Sequence, residues 1–208
     1  MRQRTLVVML KEPRPGRVKT RLGRDIGMVP AAWWFRHQAA SLVRRLRDPR
    51  WQIVLAVAPD HAGLRSRIWP GDLVRVPQGQ GDLGRRMLGA MARFRGDVCL
   101  IGADIPGVTR VEIARAFGAL GGRDVVFGPA SDGGFWLIGQ AAHLRLARHR
   151  LGGVRWSSKH ALADSCAALP GRRIAHVDVL GDVDTARDLL AMTRPDRRGR
   201  AGHEPHPE

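Results

Sequence analysis

The chain has 208 residues and a formal charge of +16, from 35 Lys and Arg against 19 Asp and Glu. That length suits one domain able to bury about 70% of the surface its unfolded chain exposes, so neither a disulfide scaffold nor a structural metal is needed. The charge points to an anionic ligand, but Lys11, Lys19 and Lys159 are the only lysines, and the arginines run from Arg2 to Arg200 without a single stripe or interleaved aromatics. Such scatter favours an acidic small substrate over nucleic acid and leaves a basic nucleic-acid-binding module as the weaker alternative.

Cys99 and Cys166 lie in apolar surroundings without CxxC or Cys/His spacing and read as buried thiols. About five apolar residues follow the basic start, too few for a signal-peptide core, and no run approaches the ~18 of a membrane segment; a soluble cytoplasmic protein is expected.

Apolar runs of strand length alternate with helical patterning from the first residues onward, predicting a three-layer α/β/α sandwich with a mostly parallel sheet. The first strand, Leu6–Leu10, leads into Lys11-Glu-Pro-Arg-Pro-Gly-Arg-Val-Lys-Thr-Arg-Leu22. There Pro13 and Pro15 stiffen the loop, Gly16 lets backbone approach a ligand, and Lys11, Arg17, Lys19 and Arg21 supply charge and donors for a polyphosphate. A helix over Ala31–Arg47 places Trp33 and Trp34 in packing positions, and Ile53–Ala58 is the next strand. In Gln78-Gly-Gln-Gly-Asp-Leu-Gly-Arg-Arg-Met87 the glycines surround Asp82 at the start of a helix over Leu83–Arg93. Backbone N–H groups at such a terminus can hold an anion or a sugar hydroxyl, and Asp82 can equally be a cap.

Asp104 stands two residues past the strand Val98–Gly102, the place where open α/β sheets present ligand-binding groups, and a carboxylate there suits Mg²⁺. Thr109 and Glu112 form a capping-box pattern for a helix over Val111–Leu120. Strands Asp124–Phe127 and Phe135–Ile138 flank a tight turn that presents Ser131, Asp132, Gly133 and Gly134 beside Phe135 and Trp136. As a plain hairpin signal Asp-Gly-Gly is ordinary; beside two aromatic rings it also offers hydrogen bonds and a stacking surface. Ser157 or Ser158 can cap a helix over Lys159–Leu169. After the strand Ile174–Val179 come Asp182 and Asp184, which either complete a metal site with Asp104 or cap a helix over Thr185–Met192. The domain is expected to span 1–193, with 194–208 a disordered basic, Pro-rich tail. No GxSxG, Ser/His/Asp order or nucleophilic-cysteine setting occurs, which disfavours covalent hydrolytic catalysis.

These segments together resemble the DUF2064 family, also called selenodomain-associated transferase 1. Lys11–Leu22 matches K-x-P-x-P-G-R-V-K-T-R-L, Gln78–Met87 matches Q-x-x-G-D-L-G-x-R-M, and Gly102–Pro106 matches G-x-D-x-P. Gly128–Gly139, Trp156–Ser158 and Asp182–Thr185 match the family's remaining motifs, so the resemblance spans roughly residues 5–190. Ile105 stands where the family commonly has cysteine, Phe135 and Trp136 where it has tyrosine, and Gly181 where it has tryptophan. The resemblance implies a glycosyltransferase-A-like, nucleotide-diphospho-sugar transferase fold with a mixed, largely parallel seven-stranded sheet.

It further implies a transferase dependent on Mg²⁺ or Mn²⁺, drawing on a nucleoside triphosphate or nucleotide sugar and passing a nucleotidyl or glycosyl group to a small acceptor. Lys11, Gly16, Arg17, Lys19, Arg21, Asp82, Ser131, Gly133 and Gly134 would contact the nucleotide or its phosphates. Asp104, Asp184 and Asp182 would hold the metal, and Lys19, Arg17 and Asp132 would take catalytic roles. A catalytically inactive nucleotide-binding protein is the alternative, and the base, acceptor and oligomeric state stay open.

Overall fold

Seven short apolar runs pair edge to edge in the computed structural model, which describes residues 3–193. They are β1 (Arg4–Lys11), β2 (Gln52–Ala58), β3 (Val74–Pro77), β4 (Asp97–Gly102), β5 (Val125–Pro129), β6 (Phe135–Gln140) and β7 (Ile174–His176). The spatial order is β3-β2-β1-β4-β6-β5-β7. All pairings are parallel except those of β6, which runs antiparallel to both β4 and β5. The exception follows from connection length: the turn between β5 and β6 is too short for anything but a hairpin, whereas the parallel neighbours are joined through helical crossovers.

The helices are α1 (Thr20–Ile26), α2 (Met28–Arg45), α3 (Asp60–Arg65), α4 (Leu83–Met91), α5 (Arg110–Ala119), α6 (Ala161–Ala167) and α7 (Ala186–Thr193). Each central strand is buried on both faces, as its unbroken apolar run requires. In β1, Leu6, Val8 and Leu10 face a core shared with Phe35, Ala39 and Leu42 of α2 and with Ile113 and Phe117 of α5. Val7 points the other way, into a second core with Met87, Leu88 and Met91 of α4.

β1 and β4 are adjacent, but β2 and β3 extend the sheet on one side of them while β6, β5 and β7 extend it on the other. The chain therefore leaves the carboxyl ends of β1 and β4 in opposite directions, opening a crevice of the kind where doubly wound sheets bind ligands.

Several expectations are corrected. β3, α1 and α3 were not foreseen: Val74-Arg-Val-Pro77 is short and carries a charge, and α1 hides its buried Leu22 among Thr20, Arg21, Arg24 and Asp25. β7 ends at His176 rather than Val179, and α6 starts at Ala161 rather than Lys159. Trp33 is 63% exposed, its ring 3.9 Å from that of His37, while Trp34 packs against the core. Cys99 is buried, but Cys166 is only half-buried. The residues 194–208 read above as a tail lie outside the described ones. No described helix is long and apolar enough to cross a membrane.

Candidate functional site

The loop after β1, the turn after β4 and the segment after β7 converge above the carboxyl ends of the strands. Lys19, the last residue of the basic loop before α1, adopts a left-handed backbone (φ 44°, ψ 48°), a conformation that costs a non-glycine residue about 1 kcal/mol. Its side chain is 6% exposed and runs inward, where Nζ lies 2.7 Å from Asp104 Oδ2, 2.7 Å from Asp184 Oδ1 and 3.9 Å from Asp182 Oδ2. Arg21 Nη1 donates to the other oxygen of Asp184 at 3.1 Å. One oxygen from each of Asp104, Asp182 and Asp184 lies within 4.8 Å of the others.

The turn carrying Asp104 is held from outside by Arg45, whose Nε and Nη2 donate to the carbonyls of Val108 and Pro106 at 2.8 Å each. Thr109 then closes a capping box with Glu112 to start α5, as the sequence indicates. Neither Asp182 nor Asp184 caps α7. Thr185 and Asp188 do so reciprocally, with Asp188 Oδ2 accepting from the Thr185 N–H at 2.8 Å and the Thr185 hydroxyl bonding back to the Asp188 N–H at 3.3 Å. Both earlier carboxylates are thereby left to the crevice.

Electrostatics at this cluster are opposed and strong. Burial alone would lower the Lys19 pKa, but Asp104 and Asp184 outweigh it and hold the ammonium above its ordinary value. Burial and then the neighbouring Asp184 push the Asp182 carboxyl up to about 6, against the pull of Lys19. Burial would raise Asp184 as well; the hydrogen bond and charge of Lys19 and the charge of Arg21 bring it below the usual range.

The crevice is a cavity of about 540 Å³ lined by Lys11, Arg17, Lys19, Arg21, Asp104 and Asp184 among the anticipated residues. Asp182 joins them through the carboxylate cluster. Gly16 (φ 72°), Asp82, Ser131, Asp132, Gly133 and Gly134 are not among the lining residues. Asp82 caps α4 by accepting from the Arg85 N–H at 2.8 Å. The N–H groups of Gly133 and Gly134 are taken up inside their own turn, by the Ala130 carbonyl at 3.2 Å and Asp132 Oδ1 at 2.9 Å. Asp132 is exposed but close enough for its charge to help raise Asp182.

Lining residues without an assigned role in the sequence reading include Phe35, Gln78, Leu83, Arg86 and Met87, and Ser157, read as a possible cap, lines the cavity too. No local signal singles out Arg86: Gly89 and Ala90, one turn on from Arg85 and Arg86, are both buried.

A basic loop facing a carboxylate cluster across the switch point of a mixed seven-stranded sheet defines a nucleotide-diphospho-sugar-transferase-type α/β protein. The chain belongs to the family described as "uncharacterized protein conserved in bacteria (DUF2064)", whose model matches residues 41–158. Among solved structures it is similar to a protein from Desulfovibrio desulfuricans G20 provisionally named a nucleotide-diphospho-sugar transferase, with 26% identity, a TM-score of 0.84 and coverage of 96% of this chain and 90% of the other. A nucleotidyl transferase from Methanothermobacter thermautotrophicus shares the fold at 14% identity and TM-score 0.60, covering 91% and 95%. So does a Mycobacterium tuberculosis H37Rv protein solved in complex with manganese, at 16% identity and TM-score 0.54, covering 91% and 97%. No curated protein matches the chain.

Proposed function

We propose that the chain is a divalent-metal-dependent transferase that takes a nucleoside triphosphate or nucleotide sugar and passes a nucleotidyl or glycosyl group to a small acceptor. The observation that carries this reading is the meeting of Lys19 with Asp104, Asp182 and Asp184 at the floor of the cavity. Phosphate-binding cations and metal-binding carboxylates there face each other across one space. The fold neighbours named transferases and the neighbour solved with manganese support the same reading.

The donor set fits a hard cation: three carboxylates, each offering an oxygen, close enough to share one ion, with no sulfur or imidazole among them. Asp104, Asp182 and Asp184 would hold Mg²⁺ or Mn²⁺, which when bound neutralises phosphate charge. The chain's own residues then do the positioning. Lys19 leaves the carboxylates and, with Arg17 and Arg21 on the same loop, donates to the phosphates of the group that departs. Transfer needs no protein nucleophile, because the acceptor attacks in line and catalysis consists of alignment and charge neutralisation. Asp132, near enough to Asp182 for their charges to interact, would accept a proton from an acceptor hydroxyl.

The two chemistries differ in their leaving group. Incubating the protein and Mg²⁺ with panels of nucleoside triphosphates and nucleotide sugars, plus a bacterial small-metabolite extract as acceptor, is expected to release pyrophosphate in the first case or a nucleoside diphosphate in the second. Release should be abolished in Asp104→Asn. Absence of both products with every donor refutes the proposal.

A further inference from the structure

The segment Gln78–Met87 has every mark of a device for placing one side chain, and that side chain is Arg86. Gln78 is 5% exposed and its amide is fully committed: Nε2 donates to the carbonyls of Leu10 at 2.9 Å and Ala56 at 2.8 Å, at the ends of β1 and β2. A flipped amide would set its oxygen against both carbonyls, so Oε1 must face the other way, where it accepts from Arg86 Nη2. Asp82 caps the helix that carries Arg86. Gly84 lets that helix sit against the segment between β6 and α6, since a Cβ there would fall 2.8 Å from the Trp156 ring and 2.9 Å from Leu151 Cβ.

The side chain so placed is anomalous for its surroundings. Arg86 is half-buried, lines the cavity beside Leu83, Met87 and Leu100, and pairs with no carboxylate among the described residues. Its Nε is buried with no hydrogen-bond partner. Arg45 and Arg75, half-buried like Arg86, make several bonds each and direct them to backbone carbonyls. Among the described residues Arg86 is the one cation lining the cavity that does not come from the loop 11–21; it is carried by α4, whereas Asp104 follows β4 and Asp184 follows β7. A guanidinium fixed at one nitrogen and unpaired at Nε, beside apolar side chains, suits a charge-assisted bond to an oxyanion.

We propose that Arg86, positioned by Gln78, is a second oxyanion-binding group of the cavity, receiving a phosphate or carboxylate of one of the two substrates. This rests on the transferase reading, which supplies two sources for that anion: the phosphates of the donor, or an anionic group on the acceptor.

The Nε–H proton of arginine gives a resolvable NMR signal, and Arg86→Lys identifies which one belongs to Arg86. In wild-type protein with Mg²⁺, at constant ionic strength, pyrophosphate stands in for the donor's phosphates. Acetate and inorganic phosphate, added on top of pyrophosphate, stand in for an acceptor. A saturable shift of the Arg86 signal with pyrophosphate assigns it to the donor, and one that needs acetate or phosphate assigns it to the acceptor. Calorimetry of the anion that moves the signal is expected to show about tenfold weaker binding to Arg86→Met. If the Arg17 and Arg21 signals respond to pyrophosphate while that of Arg86 stays unmoved by all three anions, the anchor is overturned and the transferase reading stands. If none of the three arginines responds, both fall.

Discussion

Replacing Lys19 with methionine should tighten metal binding, the reverse of what loss of a phosphate ligand alone would do. A divalent cation that takes Asp104 and Asp184 must first break the two 2.7 Å contacts they make with Lys19 Nζ. A hydrogen bond to a charged group contributes about 1.5–3 kcal/mol. Halving two of them, because the carboxylates keep 33% and 35% of their surface in water, leaves about 1.5–3 kcal/mol. That corresponds to roughly 10- to 100-fold in the dissociation constant. Electron paramagnetic resonance of free Mn²⁺, at constant ionic strength and without nucleotide, reads it directly. The variant should also melt lower than wild type in chelator, where three carboxylates crowd together without their ammonium, and recover when Mn²⁺ is added. With pyrophosphate present the order reverses, because Lys19 is then missing from the phosphates. A metal-only dissociation constant in Lys19→Met that equals or exceeds that of wild type refutes the view that the ammonium stands in the cation's place.

Asp104→Asn should weaken Mn²⁺ binding by roughly 100-fold or more, measured the same way, while its far-ultraviolet circular dichroism stays that of wild type. Just before β5, Asp124 accepts from the Arg173 N–H at 2.9 Å, Arg173 Nη2 at 3.0 Å and His143 at 2.9 Å, which holds its carboxyl well below the usual range. A depressed carboxyl stabilises the fold above its unfolded value of about 3.9, and that contribution disappears as pH falls through the folded value. Asp124→Asn should therefore lower the urea midpoint at pH 7 and flatten its decline below about pH 4; an unchanged acid limb contradicts the assignment. Gly133 has φ 87° and a Cβ there would collide with the Lys159 carbonyl. Gly133→Ala is accordingly expected to cost roughly 1–3 kcal/mol in chemical denaturation, and a neutral result would show that the turn can move aside.

The sequence discloses those parts of the site that obey local rules. The basic loop and Asp104 are legible because each directly follows an apolar run at the carboxyl end of a strand, where the sheet must present ligands. What stays hidden depends on distance along the chain. Nothing near Lys19 indicates that its ammonium meets Asp184, 165 residues away, or that its backbone is left-handed. The Asp-Gly-Gly turn looks like a phosphate cradle, but its N–H groups close their own hairpin. Two adjacent tryptophans both read as packing, yet neighbours on a helix point about 100° apart, so Trp34 turns inward and Trp33 outward. Arg86 is obscured by its neighbour Arg85: the residues three and four on from each are buried alike, and only the structure shows Arg85 exposed and Arg86 half-buried.

Metal-gated nucleotide binding at the carboxylate cluster is the central claim, and differential scanning calorimetry tests it most directly. Wild type and Asp104→Asn would be melted with a panel of nucleoside triphosphates and nucleotide sugars, with Mg²⁺ and with chelator. The expected result is that at least one nucleotide raises the wild-type melting temperature in Mg²⁺ only, with no such rise in Asp104→Asn, since a ligand that binds only the native state stabilises it. The contradicting result is that no nucleotide raises it, or that the rise is the same in chelator and in the variant.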